Sequence, residues 1–281
     1  MKTVLDTIHG GTEYLEKRGI EDARLTMQIL LAHVLGCQRI ELYVDFDRPL
    51  EEDQLAPMRE YVKRRGQGEP LQHILGEVEF YGRVFRSDSR ALIPRPETEE
   101  MVDIVLKRYS PTSDEALKIL DMGCGSGVLG LSLVAELEGS HGTLVDASSD
   151  ALALASDNAE ALELNDRVDF VHGDLFSGVE GKRFGLVVAN LPYVPAGEIP
   201  TLSKEVQHDP ISALDGGADG LDIIRSFIAD LKSHTDTGAL VGLEIGENQS
   251  AEVSKLLRQA GFAEVEAVND LSGVARFVFA V

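Results

Sequence analysis

The chain contains a short motif that could hold a planar NH2 group, formed by Asn190, Leu191, Pro192 and Tyr193. The asparagine offers an amide oxygen and an amide NH2 at fixed geometry, and the proline stiffens the backbone so that a main-chain carbonyl can point into a cleft. The tyrosine supplies a flat wall. Because the motif ends an apolar run at residues 185–189 and precedes a long loop, we favour a binding role over a simple turn.

A glycine-rich loop lies upstream, after a predicted strand and before a predicted helix, and it contains Gly123, Cys124, Gly125, Ser126 and Gly127. Glycines here let the backbone pass close to a nucleotide-like ligand. Together with Gly130, the loop also fits the dinucleotide fingerprint G-x-G-x-x-G. The loop alone therefore leaves open a methyltransferase, a nicotinamide-dependent dehydrogenase and a purely structural turn. Combined with the NH2-binding motif, it favours methyl transfer to an amide or amino nitrogen.

Residues that follow the next two predicted strands extend the candidate cofactor site. Asp146 ends the second strand, where a carboxylate can accept both hydroxyls of a ribose. It could instead cap the following helix, although Ser148 or Ser149 could serve that purpose. Asp174 follows the third strand and is placed to accept from an adenine amino group, with Leu175 against the ring. A helix cap or a turn stays an open alternative for Asp174.

The elements that must position these residues change in kind along the chain. Apolar residues recur at near-helical spacing in the first 75 residues, which predicts a small helical bundle. The β-forming run at 77–86 predicts a hairpin, and from Leu117 onward short apolar strands alternate with helices. That alternation is typical of an α/β doubly wound parallel sheet. We predict a helical domain at 1–75, a hairpin linker at 76–95 and a catalytic domain at 96–281.

Composition limits the classes of partner. The chain has 281 residues and a formal net charge of -22, and residues 1–75 carry 10 basic and 13 acidic side chains, so the acidity belongs to the C-terminal part. Such charge opposes a long contact with a nucleic-acid backbone, which makes nucleic acid an unfavourable direct substrate. Two cysteines and scattered histidines predict neither a disulfide framework nor a metal site. With no membrane-spanning stretch and no leader, we expect a cytoplasmic protein.

Beyond these motifs, the sequence resembles the release factor glutamine methyltransferases, the PrmC or HemK family of S-adenosylmethionine-dependent methyltransferases. The resemblance runs over most of the chain, and its segments lie at residues 68–82, 92–99, 121–127, 145–146, 190–193, 209–221, 243–246 and 270–276. The Ile-Pro-Arg-Pro-Glu-Thr-Glu segment coupled to the Asn190 motif is its most specific part. Two departures are Leu191, where the family usually has proline, and His208-Asp209-Pro210, where an aromatic residue, glutamate and proline are more usual.

The resemblance implies a fold and an activity. The fold is a five-helix N-terminal domain, a hairpin linker and a Rossmann-like, seven-stranded sheet whose last strand runs antiparallel. The activity is methylation, from S-adenosylmethionine, of the side-chain amide of the glutamine in the Gly-Gly-Gln motif of peptide chain release factors. Residues 123–127, Asp146 and Asn190 would hold the cofactor, and Leu175 would contact its adenine. Residues 190–193 would hold the glutamine and form the catalytic centre. The helical domain, which has no catalytic cluster, would dock the protein substrate.

Three other functions stay open on the sequence. An adenine amino-group methyltransferase acting on RNA or DNA is kept open by Leu191, because Asn-Leu-Pro-Tyr also occurs in such enzymes. A nicotinamide-dependent dehydrogenase would use the glycine loop but would leave residues 190–193 without a role. A non-catalytic binding module would bind no cofactor.

Overall fold

The computed structural model describes residues 2–109 and 116–281. The chain forms two compact units. The first contains Met1–Gly76 and Ser203–His208, and the second contains Glu77–Leu202 and Asp209–Val281. Each domain predicted from the sequence is one continuous stretch of the chain. The prediction therefore did not include residues 203–208, which belong to the loop after Tyr193, in the helical unit. Within the described ranges, no helix is long and apolar enough to cross a membrane.

The first unit is helical, as the apolar spacing predicts. Its α-helices are α1 (Val4–Glu16), α2 (Ala23–Leu35), α3 (Glu52–Gly66) and α4 (Leu71–Leu75), and a 3-10 helix spans Arg39–Tyr43. The five helices implied by the family resemblance therefore include one of the 3-10 type. Thr3 begins α1 with a capping box, in which its hydroxyl accepts from the Asp6 amide and the Asp6 carboxylate accepts from the Thr3 amide. The buried core includes Ile8, Leu15, Met27, Leu30 and Leu31.

A buried arginine joins the segment Ser203–His208 to the rest of this unit. The guanidinium of Arg65, in the last turn of α3, forms an ion pair with Glu205. It also donates to the main-chain oxygen of Glu69 at 3.0 Å. Removing the Glu205 carboxylate would leave Arg65 without its counter-charge in a buried position, which is costly. Residues 203–208 therefore depend on α3 for their packing.

The second unit begins with the predicted hairpin, whose strands β1 (Glu77–Phe80) and β2 (Arg83–Arg86) pair antiparallel. Helix α5 (Pro96–Arg108) follows, with Pro96 as its first residue. Proline suits this first position because its missing N–H would have no partner inside the helix. The buried amide of Asn158 bonds both the N–H and the carbonyl of Arg86, and it donates to the Ser126 carbonyl at 2.9 Å. The hairpin end and the glycine loop are thus held by one side chain.

A seven-stranded sheet forms the centre of this unit, with strands in the order β5-β4-β3-β6-β7-β9-β8. The strands are β3 (Lys118–Met122), β4 (His141–Asp146), β5 (Val168–His172), β6 (Phe184–Asn190), β7 (Thr235–Glu244), β8 (Val265–Asn269) and β9 (Ala275–Ala280). The helices are α6 (Val128–Glu136), α7 (Ser149–Ala161), α8 (Asp222–Leu231) and α9 (Ser250–Gln259). The final strand, β9, runs antiparallel to β7 and β8. The predicted doubly wound, seven-stranded fold is confirmed.

Both faces of the central strands β3, β4 and β6 are buried, which explains their near-continuous apolar sequences. Successive side chains in a strand point to opposite faces, so the neighbours Ile119 and Leu120 enter different core clusters. Chain order along the sheet changes direction at β3, which has β4 on one side and β6 on the other. In open α/β sheets, ligands bind at the carboxyl ends of the strands beside such a point.

Candidate functional site

A cleft opens at the carboxyl ends of β3, β4 and β6 and brings together most of the predicted site residues. Those that line it are Gly123, Cys124, Gly125, Ser126, Asp146, Asp174, Leu175, Asn190, Leu191 and Pro192. Residues that the sequence analysis did not assign to the site, among them Arg90, Arg95 and Thr98, complete its wall. The cleft is thus lined by both the glycine-rich loop and residues of the asparagine motif.

The glycine loop is tied to the neighbouring strand and packed closely on the asparagine motif. The N–H groups of Gly123 and Cys124 both donate to the Val145 carbonyl, at 2.8 and 3.0 Å. Gly123 has φ of +69°, and a Cβ there would lie 2.9 Å from a methyl group of Leu191. Any larger residue would therefore be strained in its backbone and would displace the Leu191 side chain.

Gly127 does not line the cleft in the structure, although it was predicted to bind the cofactor. It precedes α6 with φ of +81°, and a Cβ there would meet Leu131 and Ala155 at 3.0 and 3.1 Å. Its amide donates to the Cys124 carbonyl at 2.8 Å. The close packing against two helices gives this glycine a role in the turn into α6, and its contact with the cofactor stays a prediction.

Asp146 is held with both carboxylate oxygens oriented. One oxygen accepts from the Gly125 amide and the other from the Ser148 amide, each at 2.8 Å. Each oxygen has further lone-pair capacity for a ligand hydroxyl. The alternative role as a helix cap belongs to Ser148, whose hydroxyl accepts from the Ala151 amide at the start of α7. The carboxylate therefore supports the loop and faces the cleft.

Asp174 and Leu175 lie in the turn after β5. The Asp174 carbonyl accepts from the Ser177 amide, so the residue takes part in a turn, as the alternative interpretation held, while it also lines the cleft. Leu175 has φ of +50°, a left-handed conformation that is costly for a residue with a side chain. Backbone strain of this kind is concentrated at ligand sites. The strain is consistent with a ligand-contacting role for Leu175.

Tyr193 does not line the described cleft, and its role as a flat wall for the substrate stays a prediction. Its carbonyl accepts from the Gln249 side chain at 3.0 Å, and its ring lies beside Gly246. Burial raises the pKa of its phenol to about 12, and the nearby Glu244 carboxylate adds to this. Tyrosine at this position packs the loop onto the end of β7. The sequence alone could not distinguish this packing from a role in the wall.

Two hydrogen bonds near Asn190, which involve Thr98 and Glu244, were not predicted from the sequence. The Asn190 amide NH2 donates to the Thr98 hydroxyl at 3.3 Å, and that hydroxyl donates to the Glu244 carboxylate at 2.8 Å. Both partners lie within segments that carry the family resemblance, residues 92–99 and 243–246, and this was the only signal for them. No spacing rule assigns a role to either residue.

A second buried carboxylate anchors the loop that follows the asparagine motif. Asp209 accepts from the Ile93 amide at 3.2 Å and from the Arg95 guanidinium at 2.7 Å. Arg95 lines the cleft, and so does Pro210, which follows the aspartate. Asp209 thus holds the segment before α5 against the loop after residues 190–193.

Asp121, which lies below the glycine loop, is almost completely buried. Its carboxylate accepts from the Gly130 amide at 2.8 Å. Burial raises its pKa to about 7, and repulsion from Asp146 adds to the rise, while the hydrogen bond from Gly130 opposes it. In an unfolded chain an aspartate titrates near pH 3.9. Between these values the folded protein binds more protons than the unfolded chain.

The free energy of unfolding should therefore fall as pH rises from about 4 to about 7, by up to about 1.4 kcal/mol per pH unit for this one group. Asp121→Asn removes the contribution, so the stability of the variant relative to the parent should increase over the same pH range. Urea unfolding at pH 5, 6, 7 and 8 measures both slopes. Parallel curves for the two proteins would show that Asp121 does not titrate in this range.

Comparisons with known proteins agree on both units. Residues 6–76 match the family model for the PrmC N-terminal domain, and residues 102–217 match the Methyltransferase small domain. A release factor glutamine methyltransferase of Caulobacter vibrioides is 40% identical over 268 residues, covering 95% of this chain and 92% of the relative. One of Geobacter sulfurreducens is 38% identical, covering 99% and 95%.

A likeness to solved structures supports the fold. The hMettl16 catalytic domain superposes with a TM-score of 0.57 at 14% identity, covering 82% of this chain and 81% of that chain. Identity this low carries no information on the substrate. The comparison with solved structures therefore supports the fold, and the comparison with related sequences identifies the family.

Proposed function

We propose that this chain, which belongs to the release factor glutamine methyltransferase family, transfers a methyl group from S-adenosylmethionine to the side-chain amide nitrogen of the glutamine in the Gly-Gly-Gln motif of peptide chain release factors. The observation that carries the proposal is one cleft that holds both the oriented Asp146 carboxylate and the Asn190 motif. Relatives that cover almost the whole chain support the choice of substrate.

The cofactor is S-adenosylmethionine, and the residues of the cleft fit it. When bound, it supplies a methyl group already activated by a sulfonium charge. The Asp146 carboxylate is free to accept from ribose hydroxyls, because its existing bonds to Gly125 and Ser148 use one lone pair on each oxygen. Leu175 provides an apolar contact for the adenine, and Asp174 an acceptor for its amino group. The close approach of the backbone at Gly123 lets the loop reach the methionine part.

The acceptor end of the cleft orients the glutamine amide. An amide nitrogen is a poor nucleophile because its lone pair is delocalised into the carbonyl. The Asn190 NH2 points at Thr98, which leaves the Asn190 oxygen available for one hydrogen of the substrate amide. The main-chain carbonyl of Leu191 accepts the other. Positioning of this kind lowers a barrier by about 7 to 11 kcal/mol, and the proton leaves after the transfer.

The substitution of leucine for the family's usual proline leaves this arrangement intact. Leu191 is buried, and its methyl group rests against Gly123. It therefore fills the space between the two motifs while its carbonyl stays in the backbone position next to Asn190. The adenine-methylating alternative is not favoured by the relatives, and the net charge of -22 supports a protein rather than a nucleic acid as direct substrate. We place the reaction in the cytoplasm.

The helical unit serves as the docking surface for the intact release factor in this proposal. All residues that line the described cleft belong to the second unit, so the helical unit contributes none of them. The 3-10 helix Arg39–Tyr43 and the residue after it expose apolar side chains: Ile40 is 67% exposed and Val44 86%. Apolar side chains in such positions are suited to a protein partner, and the partner we assign is the release factor.

A labelling experiment tests the function. The protein is incubated with S-adenosylmethionine carrying a labelled methyl group, together with an intact release factor, the same factor with its Gly-Gly-Gln glutamine replaced, or ribosomal RNA. We expect label on the unaltered release factor only, at the glutamine. Label on ribosomal RNA alone would make the adenine-methylating alternative correct. Tight NAD binding without S-adenosylmethionine binding would make the protein a dehydrogenase.

A further inference from the structure

We infer that Thr98 and Glu244 are positioning residues that hold the Asn190 amide with its oxygen toward the cleft, and that protonation of Glu244 permits the reversed, inactive orientation. The inference rests on the proposed function and adds a dependence of the reaction on the protonation of Glu244. It starts from three side chains that belong to three different elements: the end of β6, the first turn of α5 and the end of β7.

Sheet register brings two of the three side chains together. Asn190 and Glu244 are paired residues of the parallel strands β6 and β7. Glu244 is only 2% exposed and does not itself line the described cleft, whereas Asn190 and Thr98 both do. Glu244 therefore does not touch a substrate in the cleft. Any effect it has on the reaction must pass through the other two residues.

The three side chains Asn190, Thr98 and Glu244 form a hydrogen-bonded relay. The direction of its hydrogen bonds is set by the Glu244 carboxylate. An ionised carboxylate can only accept, so the Thr98 hydroxyl donates its one hydrogen to Glu244, at 2.8 Å. The Thr98 oxygen is then an acceptor for Asn190, whose NH2 lies 3.3 Å away. The Asn190 NH2 also donates to the Glu244 carboxylate, so both partners favour the same orientation of the amide. A reversed amide would place two oxygens with no shared hydrogen face to face. The ionised relay thus selects the orientation that the acceptor site requires.

A proton on Glu244 removes this selection. The carboxylic acid can donate to the Thr98 oxygen, which frees the Thr98 hydrogen to donate toward Asn190. The Asn190 oxygen is then stabilised on the Thr98 side, and its NH2 faces the cleft. An NH2 group cannot accept the hydrogens of the substrate amide.

The groups around Glu244 shift the pKa of its carboxyl toward neutral pH. Burial raises its pKa to about 7 and the charge of Glu97 on α5 adds to the rise, whereas hydrogen bonds from Thr98 and Asn190 and the charge of Arg276 on β9 lower it. The Tyr193 phenol is a further titratable group beside it, with its own pKa raised to about 12. Tyr193 therefore stays neutral through the range in which Glu244 changes charge.

A matched pair of substitutions tests the hydroxyl. Thr98→Val keeps the shape and removes the hydrogen bonds, whereas Thr98→Ser keeps the hydroxyl and removes a methyl group. We expect kcat to fall about tenfold in Thr98→Val and to stay within about threefold in Thr98→Ser, with cofactor affinity unchanged in both. Unchanged kcat in Thr98→Val, or equal losses in the two variants, would overturn the inference.

The pH profile tests the carboxyl. In the parent protein kcat should rise as pH increases through about 7, because the ionised form of Glu244 is the competent one. Glu244→Gln cannot ionise, so this inflection should disappear from kcat while cofactor binding is retained. An inflection that persists in Glu244→Gln would assign it to another group and overturn the role of Glu244.

A readout without catalysis separates this inference from the proposed function. The side-chain NH2 resonances of Asn190, assigned by their absence in Asn190→Ala, should shift with pH near 7 in the parent and not in Glu244→Gln. If no release factor is methylated but these resonances titrate, the function is wrong and the relay is correct. If methylation occurs and the resonances do not respond, the relay is wrong and the function stands.

Discussion

Asn190→Ala should lower the rate of methyl transfer to the release factor by about 100-fold or more, because it removes an acceptor that acts on the reacting amide in the transition state. Cofactor affinity should change little, since the proposal assigns the ribose and adenine contacts to Asp146, Asp174 and Leu175. Single-turnover kinetics at saturating cofactor measures the chemical step, and calorimetry measures the binding. Turnover near that of the parent would remove Asn190 from the mechanism.

Asp146→Ala provides the opposite control in the same cleft. It removes an acceptor for the ribose hydroxyls, and losing charge-assisted hydrogen bonds costs about 1.5 to 3 kcal/mol. Cofactor affinity should therefore fall about 10- to 150-fold, while the rate at saturating cofactor stays much closer to that of the parent. The two variants should thus separate binding from chemistry. If both variants lose only affinity, the asparagine motif belongs to the cofactor site alone.

The sequence was sufficient for the parts of the site that follow strands. The ends of β3, β4 and β6 were predictable because buried parallel strands read as apolar runs, and the carboxyl ends of such strands share one edge. The positions of Asp146 and Asn190 after two such strands therefore predict that both lie at that edge. The close contact of Gly123 with Leu191 is not predictable in this way, since it depends on how two loops pack.

Contacts between elements that are far apart in the sequence could not be predicted from sequence patterns. The hydrogen bond between Thr98 and Glu244 joins residues 146 positions apart, on a helix and a strand. The role of Tyr193 stays a prediction, because an aromatic residue beside a motif is suited equally to a wall and to packing behind it. Side-chain direction decides between these roles, and sequence spacing does not determine it in an irregular loop.

The same limitation changes how the docking role should be tested. Deleting residues 1–75 would remove Arg65, the buried partner of Glu205, and so would disturb the loop that follows the asparagine motif. A loss of activity would then have two explanations. Substitutions on the exposed surface of the helical unit avoid this problem.

Ile40→Asp combined with Val44→Asp should reduce kcat/KM for the intact release factor by about 30-fold or more, the size expected when apolar anchors of an interface are replaced by charges. A short Gly-Gly-Gln peptide engages only the cleft near Asn190, so its methylation should be unaffected. Leu271→Asp is the matched control, since Leu271 is 92% exposed in the turn between β8 and β9 of the other unit. Equal losses on protein and peptide, or an equal loss in Leu271→Asp, would contradict docking by this surface. A selective loss on the intact factor would assign substrate selection to the helical unit and chemistry to the cleft.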